Sequence, residues 1–154
     1  MIIDKHSQYG ATNQEPNTIV VHAMGEYIMG THALEFLANQ QLSVHAMAAP
    51  DGTIYRCRND DEGAYHARGF NTNTLGIEVL VAGDHDYASF LEAIKKPYMP
   101  DEQYRAVIDQ CRMWMSLNGI TRIVRHSDLS PGRKVDPGKG FPWQKFLEDL
   151  KSGI

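Results

Sequence analysis

The stretch Leu75-Gly76-Ile77-Glu78-Val79-Leu80-Val81 does most to limit what this chain can become. With a single charged member it cannot alternate between a dry face and a wet one, so it reads as a central strand. Glu78 is its conspicuous intruder. Thr18-Ile19-Val20-Val21-His22 is a second, β-branched run and reads as a buried strand ending on a histidine. Residues 43–49 and 53–58 flank Pro50-Asp51-Gly52, where proline presets one dihedral and glycine accepts positive φ, so they form a hairpin. Residues 120–124 supply a further short strand.

Helical signals fall between these strands. Ala33, Leu34, Phe36, Leu37 and Ala38 mark a helix within 32–41. The clearest helix starts at Asp101, where two acids suit the N-terminal dipole, and stops at Asn118-Gly119. Its apolar stripe is Tyr104, Val107, Ile108, Cys111, Met115 and Leu117. Residues 142–150 carry Trp143, Phe146, Leu147 and Leu150 and form a short amphipathic helix. The polar segment 84–100, with two prolines, is expected to be an irregular surface loop. The expected class is α/β or α+β, a mixed central β-sheet flanked by helices.

The 154 residues suit a single domain, 1–154, with its core at about 18–150 and no linker-like tract. A net charge of −4 argues against a nucleic-acid binder, although Arg122, Arg125, Arg133, Lys134 and Lys139 crowd one stretch, as a solvated loop or as ligand contacts. Cys57 and Cys111 are far apart in no metal-binding spacing, and Cys111 reads as a small buried hydrophobe. The first fourteen residues lack the apolar core of a signal peptide and no segment reaches membrane-spanning length. A chain synthesised in the cytoplasm, without membrane insertion, is the expectation.

Chemistry concentrates in the segment from His126 to Asp136. Its Ser, Pro and Gly residues make it a loop, yet it follows a strand and carries His126, Lys134 and Asp136. His22 also ends an apolar strand, so the two histidines can converge. Catalytic zinc takes three nitrogen or oxygen ligands and leaves a fourth position open, a description that His22, His126 and Asp136 meet. Glu78 is then either a solvated residue of an edge strand or a general base beside the metal, because a buried carboxylate is costly without compensation. Lys134 is either solvent-exposed or an electrophile that stabilises an oxyanion.

The segments VVHAM, HxxxxxDGTIYR, YHARG, NxxxLGIE and HSDLSPGRKxDPGxxFPW occur in that order between Thr18 and Phe146. Together they resemble the type 2 N-acetylmuramoyl-L-alanine amidases, which include phage lysozyme-type amidases, amidases of wall recycling and animal peptidoglycan recognition proteins. The resemblance implies a zinc site in a surface groove, with His22, His126 and Asp136 as ligands, Glu78 as general base and Lys134 as the catalytic lysine. His66 falls where the family has a histidine lining the substrate groove, and His45 at its hairpin histidine, structural or groove-lining. Phage lysozyme-type members differ in two ways: Val44 stands where they have a catalytic tyrosine, and Asp136 where they have a cysteine ligand. Ala46 replaces a frequent aromatic residue, implying a wider groove floor.

The activity implied is zinc-dependent hydrolysis of the amide between N-acetylmuramic acid and L-alanine. The setting implied is a phage endolysin acting on the cell wall; the alternatives are a cytoplasmic recycling amidase for soluble anhydromuropeptides, or a non-catalytic peptidoglycan-binding module. The expected partner is peptidoglycan or a muropeptide, met by a monomeric chain.

Overall fold

The computed structural model describes residues 1–152. Its strands are β1 (Ile2–Asp4), β2 (Thr18–Ile28), β3 (Thr31–His32), β4 (Ala46–Ala48), β5 (Ile54–Arg56), β6 (Thr74–His85) and β7 (Arg122–Arg125). Its helices are α1 (Ala33–Asn39), α2 (Tyr87–Ala93), α3 (Asp101–Asn118), α4 (His126–Leu129) and α5 (Trp143–Ser152). The strands form one mixed sheet in the order β1-β5-β4-β6-β2-β3, and β7 also pairs with β2. The two apolar runs are its neighbouring central strands, parallel from Thr18 beside Thr74 to Gly25 beside Val81. The mixed sheet flanked by helices is the expected architecture.

Alternation along β2 and β6 separates packing from chemistry. Ile19, Val21, Ala23, Leu75, Ile77, Val79 and Val81 face Val107, Cys111 and Trp114 of α3 and Phe146 and Leu150 of α5. Trp114 and Phe146 are fully buried, and truncating either to alanine should cost about 3–5 kcal/mol. On the opposite face Met24, Leu80 and Met47 pack under Ala33, Leu34, Phe36 and Leu37 of α1. That short helix leaves the stretch around His22 and Glu78 facing a cavity. A one-residue register slip would drive both polar groups into the main core.

Three expectations need correction. Residues 84–100 are not an irregular loop: β6 runs on to His85, and α2 follows, capped by Asp86, whose carboxylate accepts from the Ser89 amide at 2.8 Å. The Asp-x-x-Ser cap was a readable signal, obscured by the later prolines. The segment from His126 contains the single turn α4, stabilised by two hydrogen bonds from the Arg125 guanidinium to Asp128. Ala46 does not widen a groove floor, because it is fully buried within the main core. Helix α3 stops as expected, after Asn118, at Gly119 with φ 63°. Among the described residues no helix is long and apolar enough to cross a membrane.

Candidate functional site

Register brings the site together. His22 on β2 lies directly beside Glu78 on β6. On the other side Val21 lies beside Arg125, the last residue of β7, so His126 enters the same level. Asp136 returns from the loop after α4, accepting the Ala23 amide at 3.2 Å through its Oδ2, while its own carbonyl accepts the Ser127 amide at 3.0 Å. Parallel pairing thus sets three of the four groups in one row, and bonds from two backbone amides hold the fourth.

The donors form a tight triangle. His22 Nδ1 is 3.0 Å from His126 Nδ1, His126 Nδ1 is 3.2 Å from the Asp136 carboxylate, and His22 Nδ1 is 3.7 Å from Asp136 Oδ2. A tetrahedral zinc ion bound at about 2.0–2.1 Å sets its ligands roughly 3.4 Å apart, and the three edges bracket that value. All three residues are buried. The triangle therefore fits zinc in size, donor type and coordination number.

Burial depresses the His22 imidazole below its ordinary value and favours the neutral ring that a metal needs. Burial pushes the Asp136 carboxyl up, but the His126 ring hydrogen-bonded to it and the His22 imidazole beside it hold it well below the carboxylate range. Glu78 behaves oppositely. Burial and the neighbouring Asp136 raise it well above its ordinary value, against the opposing charge of Lys134. Its Oε1 is buried without a hydrogen-bond partner among the described residues. It sits on a central strand, not an edge, so the solvated reading of Glu78 is excluded.

A cavity of about 660 Å³ opens over this row. His22, His66, Glu78, His126, Lys134 and Asp136 all line it. Tyr65 and, from α2, Tyr87 and Phe90 add apolar surface to its lining, so part of the misread segment 84–100 lines the groove. The rest of that segment supports the Asp136 loop: the Tyr98 hydroxyl donates to the Pro137 carbonyl at 2.8 Å, and the Gly140 amide to the Ile94 carbonyl at 2.7 Å.

The basic crowd is dispersed. Arg122 bonds Thr18, and Arg125 pairs with Asp128 and lies over the Trp143 ring, whereas Arg133 and Lys134 face the cavity. His45, expected as structural or groove-lining, is fully buried and is not among the lining residues. Its Nδ1 accepts the Gly76 amide at 3.1 Å and its Nε2 bonds the Glu62 carbonyl at 2.7 Å, with burial holding its pKa at about 4. It braces the hairpin against β6. His66 does reach the cavity, but both its ring nitrogens are engaged. Nδ1 is 2.8 Å from His22 Nε2, and Nε2 is 2.9 Å from Thr74 Oγ1. Thr74 and Gly76 escaped the sequence reading; their signal was the alternation Thr74-x-Gly76-x-Glu78 on one face of β6.

Comparison with known proteins identifies the family. Residues 12–139 match the family described as N-acetylmuramoyl-L-alanine amidase. The chain is 32% identical over 114 residues to the 1,6-anhydro-N-acetylmuramyl-L-alanine amidase AmpD of Haemophilus influenzae, a match covering 72% of this chain and 60% of that protein. It superposes on the N-acetylmuramoyl-L-alanine amidase LysC from Clostridium intestinale with a TM-score of 0.75 and 25% identity, covering 97% of both chains. The amidase AmiD from E. coli, solved with an anhydro-N-acetylmuramic acid peptide, superposes with a TM-score of 0.66 at 23% identity, covering 93% of this chain and 60% of that one. The chain belongs to the N-acetylmuramoyl-L-alanine amidase family.

Proposed function

We propose that this chain, acting as one amidase domain, is a zinc-dependent hydrolase of the amide joining N-acetylmuramic acid to L-alanine in peptidoglycan. The observation that carries this reading is the triangle of His22, His126 and Asp136 at the floor of an open groove, with Glu78 and Lys134 beside it. Zinc held there would polarise the amide carbonyl and bring the pKa of a bound water to about 7. Glu78 accepts a proton from the attacking water and delivers it to the departing L-alanine nitrogen. A cation held there would offset the burial and the Asp136 charge that raise the Glu78 carboxyl above its ordinary value. The Lys134 ammonium, which makes no hydrogen bond or ion pair among the described residues, stabilises the negative oxygen that develops as the carbon becomes tetrahedral. The C–N bond breaks, leaving a lactyl carboxylate on the sugar and a free amine on the peptide.

Two settings remain in view, each with its own support. Similarity to the endolysin amidase LysCS from Clostridium intestinale, at 25% identity over 97% of this chain and 95% of that one, favours a wall-degrading endolysin. The 32% identity to AmpD, whose name specifies the 1,6-anhydro sugar, favours soluble anhydromuropeptides. Zinc content and release of L-alanine amino termini from purified sacculi, with and without a chelator, test the chemistry. One zinc per chain and chelator-sensitive release are expected; a chain without zinc overturns the metal assignment. Running the assay in parallel on soluble anhydromuropeptides separates the settings, since a recycling enzyme turns these over and leaves sacculi intact.

A further inference from the structure

His66 is expected, on family resemblance, to face the substrate. Its hydrogen bonds point elsewhere, because a neutral imidazole has one donor and one acceptor and both are spent inside the protein. The direction of the chain of bonds follows from its far end. The Thr74 hydroxyl donates to the Phe70 carbonyl at 2.8 Å, and a backbone carbonyl can only accept. Having spent its one hydrogen, Thr74 Oγ1 accepts from His66 Nε2–H at 2.9 Å. His66 Nδ1 then carries a lone pair, so His22 Nε2, 2.8 Å away, is the donor. A neutral His22 protonated at Nε2 has a bare Nδ1, the atom turned toward His126 and Asp136.

We infer that His66 is a positioning residue for the metal site, fixing the His22 tautomer and ring orientation through a relay that runs from His22 through His66 and Thr74 to the Phe70 carbonyl. The surroundings are built for this ring. A Cβ added at Gly76 would lie 2.5 Å from His66 Nδ1, the accepting atom itself, so only glycine lets the ring rest against β6. The Asn71 side-chain oxygen takes the backbone amides of His66 and Ala67 at 3.0 and 2.7 Å, holding the residue from its own loop. His126 has no such support, since its Nε2 is buried without a hydrogen-bond partner among the described residues. The relay therefore makes His22 the prearranged ligand of the pair. Outer partners of this kind commonly change metal affinity about 10–100-fold when removed.

This inference rests on the zinc reading, and the experiment separates the two. Zinc dissociation constants are measured by competition with a chromogenic chelator for wild type, His66→Phe, His66→Asn and Thr74→Val. His66→Phe keeps a ring but loses the acceptor, and is expected to weaken zinc about 10–100-fold. His66→Asn can place an oxygen near the position of Nδ1 and should recover most of that loss. Thr74→Val, away from the ion, should give a smaller loss in the same direction. In the metal-free wild type, long-range 1H–15N correlation should show both His22 and His66 protonated at Nε2. A wild-type chain that binds no zinc removes the metal reading and, with it, the role of His66. Zinc binding by wild type with equal affinity in His66→Phe, a stronger defect in His66→Asn than in His66→Phe, or an Nδ1-protonated His22 overturns the relay alone.

Discussion

Asp136 and Glu78 are almost equally buried, at 7% and 8% exposure, and they line the same cavity. Their surroundings nevertheless push their ionisation in opposite directions. Asp136 accepts the Ala23 amide and lies beside two imidazoles, so its negative charge is met on several sides. Glu78 has an Oε1 with no hydrogen-bond partner among the described residues, a like charge next door in Asp136, and only Lys134 to oppose these effects. Burial by itself therefore says little about what a carboxylate does. The donors supplied to it decide whether it serves as a permanent anion that can hold a metal or as a group ready to exchange a proton.

The largest expected effect comes from removing the anion. Asp136→Ala should abolish zinc binding and activity together, read by metal content and by L-alanine release; zinc retained at full activity would take Asp136 out of the ligand set. Glu78→Gln should separate the two carboxylates most sharply, keeping the metal while turnover falls roughly a hundred- to ten-thousandfold. Loss of zinc in that variant would mean that the two residues share one role.

Lys134→Ala should also leave the metal bound, and slow turnover by about a hundredfold. Because Lys134 is the cation that counters the burial of Glu78, its removal should also move the acid limb of the kcat/KM profile to higher pH. An unmoved limb would show that Lys134 does not act on Glu78.

The smallest effect concerns stability without metal. A depressed carboxyl such as Asp136 contributes stability that is full above the unfolded value of about 4 and is lost as pH falls through its folded value. A raised carboxyl such as Glu78 does the reverse, costing stability as pH climbs from about 4 toward its folded value. With chelator present, Glu78→Gln should thus be more stable than wild type at pH 7, by about 1–3 kcal/mol, and nearly equal to it at pH 4. Denaturant melts at the two pH values check both sign and window, and a variant less stable than wild type at pH 7 would contradict the unpaired state of Glu78.

Much of this molecule is legible in its sequence. Leu75–Val81 and Thr18–His22 are too apolar to lie anywhere but inside a sheet, and Asn118-Gly119 ends α3 through glycine's access to left-handed backbone. The convergence of His22, His126 and Asp136 was readable because two apolar strands and a Pro/Gly-rich loop carry them, although β2 does not end at His22 as expected but runs on to Ile28. What escaped depended on distant partners. Helix α2 was hidden because Phe90 and Ile94 gain their burial only against the main core. His45 and His66 carry the same side chain, yet one braces the hairpin and the other bonds His22.

The sequence by itself determined which residue types are present, their alternation along β2 and β6, and therefore which side chains share a face, because a strand's period of two is a local property. Only the tertiary structure decided that His22 stands beside Glu78, that His45 is sealed behind the groove, and that His66, while lining the cavity, bonds His22. Register between strands more than fifty residues apart, and the hydrogen-bond partner each buried ring finds there, are set by the packing of the whole chain.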